Sequence, residues 1–169
     1  MPRDDADFAA YLAARWPFLV RSLVLIGCPR DEAEDVVETA LARCFTAWGK
    51  VRELDDMDAY VYGEVLECWH RRSRRRGAPP VDPGPETDPE ASPEPEDVTD
   101  QVRLRRALEA QLDGLAPDDR ELLVLRFVAG LDEVQVADVV DQPVHAVAAR
   151  IEHALGQLDL TALREMTGR

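Results

Sequence analysis

Five arginines, Arg71, Arg72, Arg74, Arg75 and Arg76, fall within six residues just after Trp69, in the run WHRRSRRRG. A cationic block this dense attracts phosphate, and an exposed aromatic ring beside it offers bases a stacking surface, the pairing that grips single-stranded nucleic acid. Cations at a helix C-terminus are favoured by the dipole even with nothing bound, but capping alone does not need five. Upstream, Glu67 and His70 have the Glu-x-x-His spacing of a carboxylate-bridged metal site; a bundle site of that kind needs a second copy and more carboxylates, which the sequence lacks, so no metal is expected. No glycine-rich phosphate loop, zinc-protease histidine pair or nucleophile with a base can be placed, so neither catalysis nor a cofactor is expected.

A second group with binding chemistry lies between Asp132 and Leu158. Gly130 closes one helix, Asp132 and Gln135 have the spacing of a capping box, and Val136, Ala137 and Val140 form a short apolar stripe. A turn follows at Asp141, Gln142 and Pro143, with Asp141 in a position suited to the left-handed region, and the next helix repeats Val147, Ile151, Ala154, Leu155 and Leu158. The spacing of Ala137, Asp141 and Val147 is that of a helix-turn-helix. The outward face of its second helix should carry hydroxyls, amides and cations to meet DNA. Here it offers His145, Ala146, Ala148, Ala149, Arg150, Glu152 and His153, so His145, Arg150 and His153 are the remaining DNA-contact candidates.

The elements that position these groups read as all-α. The chain has 34 acidic and 20 basic residues, a net charge of −14, which opposes general attraction to a polyanion. Residues 77–101, GAPPVDPGPETDPEASPEPEDVTDQ, carry 8 acids and no base, are rich in proline and offer little to bury; they are expected to be an extended linker. The expected organisation is therefore a helical domain at 1–76, the acidic linker at 77–101 and a helix-turn-helix domain at 102–169, each flank near the minimum size for a core of its own. Whether the tether holds the two apart or lets them close is left open. No segment approaches the roughly 20 consecutive apolar residues of a membrane span, and the N-terminus lacks a signal-peptide core, so a cytoplasmic protein with no membrane partner is expected. Cys28, Cys44 and Cys68 are odd in number and set in apolar patterns, which predicts buried free thiols.

In the first domain, Asp4 or Asp5 caps a helix through Phe8, Tyr11, Leu12 and Trp16, and Pro17 starts a continuation ending at Gly27 and Pro29. Asp31 and Glu34 form a capping box for a second helix with its core stripe at Ala33, Val36, Val37, Ala40, Leu41, Cys44, Phe45 and Trp48. A third begins near Asp56 or Asp58 and finishes in the arginine block. In the second domain, Thr99 or Asp100 caps a helix through Leu115, and Pro117 starts the next.

The segments EAEDVVETALARCFTAW, DDMDAYVYGEVLECWHRRSRRRG and LDGLAPDDRELLVLRFVAGLDEVQVADVV, in that order around an acidic linker, resemble an extracytoplasmic-function sigma factor of the sigma-70 family, closest to an actinobacterial branch. The resemblance implies that the second helix docks on core RNA polymerase through Asp35, Glu38, Thr39 and Arg43. It implies that Trp69, Arg71, Arg72, Arg74, Arg75 and Arg76 meet the proximal promoter element, and that the helix-turn-helix reads the distal one. Where the family commonly has LGCSPGTVKSRLHRAL this chain has VDQPVHAVAARIEHAL, so polar and basic positions are lost while Val147, Ile151, Ala154 and Leu155 remain. Two functions follow. One is a sigma factor that binds core polymerase and directs it to promoter DNA; the other is a degenerate sigma-like adaptor or decoy that occupies polymerase, or an anti-sigma or other regulatory protein, without reading DNA through its C-terminal domain.

Overall fold

The computed structural model describes residues 2–75, 100–159 and 161. Among the described residues there are eight helices and no strand: α1 (Pro2–Ile26), α2 (Arg30–Thr46), α3 (Trp48–Val51), α4 (Met57–Arg75), α5 (Asp100–Asp113), α6 (Pro117–Phe127), α7 (Glu133–Val140) and α8 (Val144–Gln157). The all-α expectation holds. The expected linker lies outside the described residues except at its end, where α5 already begins at Asp100; Thr99 and Arg76 also lie outside them.

α1 is one helix, not two segments meeting at Pro17. Pro17 and Ala13, four residues before it, are both exposed, so the carbonyl left without a donor faces water and the helix continues. Over Asp5–Ile26 it has the length and mean hydropathy, 1.4, of a membrane-crossing helix, more than the expectation of no such segment allows. Here its apolar face serves the core: Leu19, Leu23, Leu25 and Ile26 are buried. Gly27, at φ 115°, ends it in a backbone conformation that a β-carbon would strain.

The capping box expected at Asp31 and Glu34 is absent. α2 starts two residues earlier, behind Pro29, with no side-chain cap, and Asp31 and Glu32 occupy its first turn, where the dipole favours acids. Its inner stripe is as expected at Ala33, Val36, Val37, Ala40, Leu41 and Cys44, but Phe45 is 45% exposed. Phe45 follows Cys44 by one position, about 100° round the helix from the buried line, and rests against the Phe8 ring at 4.9 Å. The short helix α3, which periodicity alone does not separate from α2, carries Trp48 inward against Phe8 and Tyr11.

The first four helices and the last four close on each other around one continuous core. α1 packs on α6 and α4 on α7, so Leu122, Leu123, Val124, Leu125, Val136, Val147 and Ile151 belong to the same buried cluster as Leu23, Val37 and Val65. Polar ties cross the join: the Arg120 guanidinium donates to the Leu25 carbonyl, the Gln135 amide donates to Asp56 at 2.7 Å, and His70 Nε2 meets Glu121 Oε2 at 2.7 Å. The helix-turn-helix forms as its spacing predicts. Asp132 accepts from the Val134 and Gln135 amides at 2.9 Å each while the Gln135 side chain accepts from the Asp132 amide at 2.8 Å, and Asp141 takes the left-handed conformation, φ 52°.

Candidate nucleic-acid interface

The apolar stripe of α4, Val61, Val65, Leu66, Cys68 and Trp69, faces the core, and Trp69 is only 6% exposed. The aromatic platform expected beside the arginines is therefore not available: the helical spacing that buries Val65 and Leu66 buries Trp69 with them. The arginines themselves divide. Arg71 pairs with Glu67, and Arg72 with the buried Glu32 at 2.9 Å and with Asp35 at 3.7 Å. Arg74 and Arg75 are exposed and make no ion pair among the described residues.

The polar face of α2 is open. Asp35, Glu38 and Thr39 are exposed, and Arg43 is partly so, 3.8 Å from Glu64. Thr39 donates its hydroxyl to the Asp35 carbonyl at 2.8 Å, the usual back-bond of a helical threonine. Through the Arg72–Asp35 pair this face and the arginine end of α4 form one continuous surface. Glu32 and Glu64, which carry no binding motif of their own in the sequence, set the positions of Arg72 and Arg43 in it.

α8 offers much less. His145 and His153 are exposed, but Arg150 turns back onto α6, donating from Nε and Nη2 to Asp119 at 3.0 and 2.6 Å and from Nη1 to Gln142 at 3.5 Å, with Asp118 at 3.7 Å. The cation expected to face DNA instead brackets two helices. The reason is positional: Arg150 sits just before buried Ile151, over the N-terminus of α6, where Asp118 and Asp119 gather.

His70 is the titratable element of the join. Its hydrogen bond to Glu121 raises its pKa above the ordinary histidine value; burial and Arg74 oppose the rise, and Asp118 adds to it. The other charged groups around the two adjoining clefts are Glu67, Asp113, Arg120, Asp141 and Arg150. A pKa raised by the closed contact means that protonated His70 favours closure. This contribution is complete below the histidine's free value and is lost as pH rises through its raised one. A distance measurement between dyes on α2 and α8 should accordingly show the halves loosening between mildly acidic and alkaline pH, and His70→Gln should flatten that dependence. Although Glu121 joins Glu67 and His70 at this cleft, no cluster among the described residues has the makings of a metal site. All three thiols are buried; burial pushes Cys44 up to about 12 and raises Cys68 as well, which keeps these two protonated and unreactive.

Comparison with known proteins agrees with this arrangement. Residues 105–158 match the family model for sigma-70, region 4. Over 156 residues the chain is 27% identical to the RNA polymerase sigma-E factor of Streptomyces coelicolor, covering 90% of this chain and 84% of that protein, and 28% identical to the sigma-E factor of Streptomyces avermitilis, covering 90% and 83%. The chain is thus similar to RNA polymerase sigma factors, in its last four helices by family model and over nine-tenths of its length by relatives. Among solved structures, the fold of this chain is similar to that of RpoE from Bartonella quintana in complex with the anti-sigma factor NepR, with a TM-score of 0.66 at 18% identity over 95% of this chain and 96% of that one. It is also similar to CnrH in complex with the cytosolic domain of CnrY, with a TM-score of 0.62 at 22% identity over 95% and 89%. The matched region takes in α6, α7 and α8, so the framework of the helix-turn-helix persists although Arg150 no longer faces outward.

Proposed function

We propose that this chain is a sigma factor that binds core RNA polymerase through Asp35, Glu38, Thr39 and Arg43 on α2 and meets promoter DNA through the arginines that end α4, with α7 and α8 serving mainly to complete the core. The division into units at 1–76 and 102–169 joined by 77–101 is part of the same reading, as is action in the cytoplasm, where polymerase works. One observation carries it: the single arginine of α8 is committed to Asp119, while Arg74 and Arg75 are exposed and make no ion pair among the described residues. Phosphate binding needs cations that are free to exchange their counterions. The adaptor reading is supported by the closed halves and the bare recognition helix, and by the two similar structures, each held in a complex with a protein partner.

The test is a salt titration of the complex with core polymerase on promoter and random DNA. Replacing Arg74 and Arg75 together by glutamine should weaken binding to both DNAs and reduce the salt slope by about 0.7 to 0.9 for each phosphate no longer neutralised. Arg150→Gln should leave DNA affinity unchanged while lowering the melting temperature, and alanine at His145 and His153 should change neither. Polymerase binding without any preference for promoter over random DNA selects the adaptor.

A further inference from the structure

We infer that the cleft between α2 and α4 is a binding pocket for an oligophosphate, a short run of linked phosphate groups. The cleft has a volume of about 330 Å³, and Arg43 with Thr39 from α2 faces Arg71, Arg72 and Arg75 from α4 across it. Its floor is apolar, Val36 and Cys68. Four guanidinium groups line it and no carboxylate does, in a chain whose net charge is −14. The acids that pair with these arginines, Glu32, Asp35, Glu64 and Glu67, do not line the cavity, and Arg75 makes no ion pair among the described residues.

Guanidinium is the cation whose planar fork matches phosphate oxygens two at a time. Four of them on two helices suit several phosphates in a row better than one. Burial raises the Cys68 thiol, with Arg43 and Arg71 lowering it and their partners Glu64 and Glu67 raising it, so both cations lie near the same floor. The volume is within the range of small-molecule sites, and the polymerase-facing role of α2 does not enter the argument.

The ligand chemistry has two sources, a free oligophosphate or the backbone of a single nucleic-acid strand. Calorimetric titration of the full chain with inorganic tripolyphosphate, alone and in the presence of a short single-stranded oligonucleotide, separates them. One tripolyphosphate per chain is expected, weakened about tenfold or more by either Arg43→Gln or Arg75→Gln, since each removes a charge-assisted hydrogen-bond donor. Arg43→Lys, which keeps the charge without the fork, should fall between. Arg74→Gln should leave the affinity within about twofold, because Arg74 lies on the other side of α4, in the cleft with His70 and Glu121. Displacement by the oligonucleotide assigns the pocket to a nucleic-acid backbone, and persistence beside it assigns the pocket to a free oligophosphate; both support the inference. Absence of saturable binding, or an Arg74→Gln effect equal to that of Arg75→Gln, overturns it in favour of a diffuse basic surface. Polymerase capture and promoter preference are measured separately, so this inference and the proposed function fail independently.

Discussion

Leu125→Ala, a change in the last four helices, is expected to destabilise the whole chain by about 2–5 kcal/mol, the range for truncating a fully buried leucine, and to shift the unfolding of the first four helices with it. Leu125 and Leu23 are both 0% exposed and belong to one buried cluster. Trp16, Trp48 and Trp69 all lie in the first half, Trp69 at the join beside Leu115 and Pro117, so tryptophan fluorescence reports that half and its contact with the other while circular dichroism reports both. In urea the two signals should move together, for the variant as for the parent. Phe45→Ala, at a site 45% exposed, should cost clearly less, on the order of 1 kcal/mol. A fluorescence midpoint untouched by Leu125→Ala would mean that the halves fold separately and that the closed join contributes little.

That join is the feature the sequence could not supply. Apolar periodicity shows that Leu122, Leu125, Val136 and Val65 are buried but not by what, and an acidic, proline-rich stretch between two helical patterns reads equally well as a spacer or a hinge. The decisive ties are single pairs far apart in the chain: His70 with Glu121, Gln135 with Asp56, Arg120 with the Leu25 carbonyl. None has a local signature. The capping box at Asp132 and Gln135 is legible because both partners lie within one turn and the backbone amides they serve are fixed in place. The similar pattern at Asp31 and Glu34 fails because Pro29 has already started α2 and Glu32 is drawn to Arg72.

The candidate site is legible by residue type and less so by direction. The spacing places Asp35, Glu38 and Thr39 on the open face of α2, and they are exposed. Trp69 and Arg150 are expected to face outward only by analogy with what a contact surface needs, yet each obeys a local demand that is present in the sequence. Trp69 continues the stripe of Val65 and Leu66, and Arg150 sits within reach of two aspartates at the start of α6. A buried stripe and a nearby pair of acids are stronger guides to direction than the role a family gives a position.

The second large effect concerns the attachment to polymerase. Asp35→Arg and Glu38→Arg reverse two exposed charges on α2, where substitution costs the fold little, within about 0.5 kcal/mol. At the centre of an interface such reversals create like-charge contacts and unpaired groups, so a loss of affinity on the order of a hundredfold is expected. Glu38 has no ion pair among the described residues, and Asp35 is only 3.7 Å from Arg72 at its nearest; neither change removes a support of the core. His145 and His153, on the other half, serve as controls that should leave the affinity as it is. The direct measurement is retention of purified core RNA polymerase by the immobilised chain at low ionic strength, beside the Asp35→Arg, Glu38→Arg double variant. The account predicts stoichiometric retention by the parent and nearly none by the variant, with the circular dichroism of the two identical; polymerase passing through both alike would contradict it.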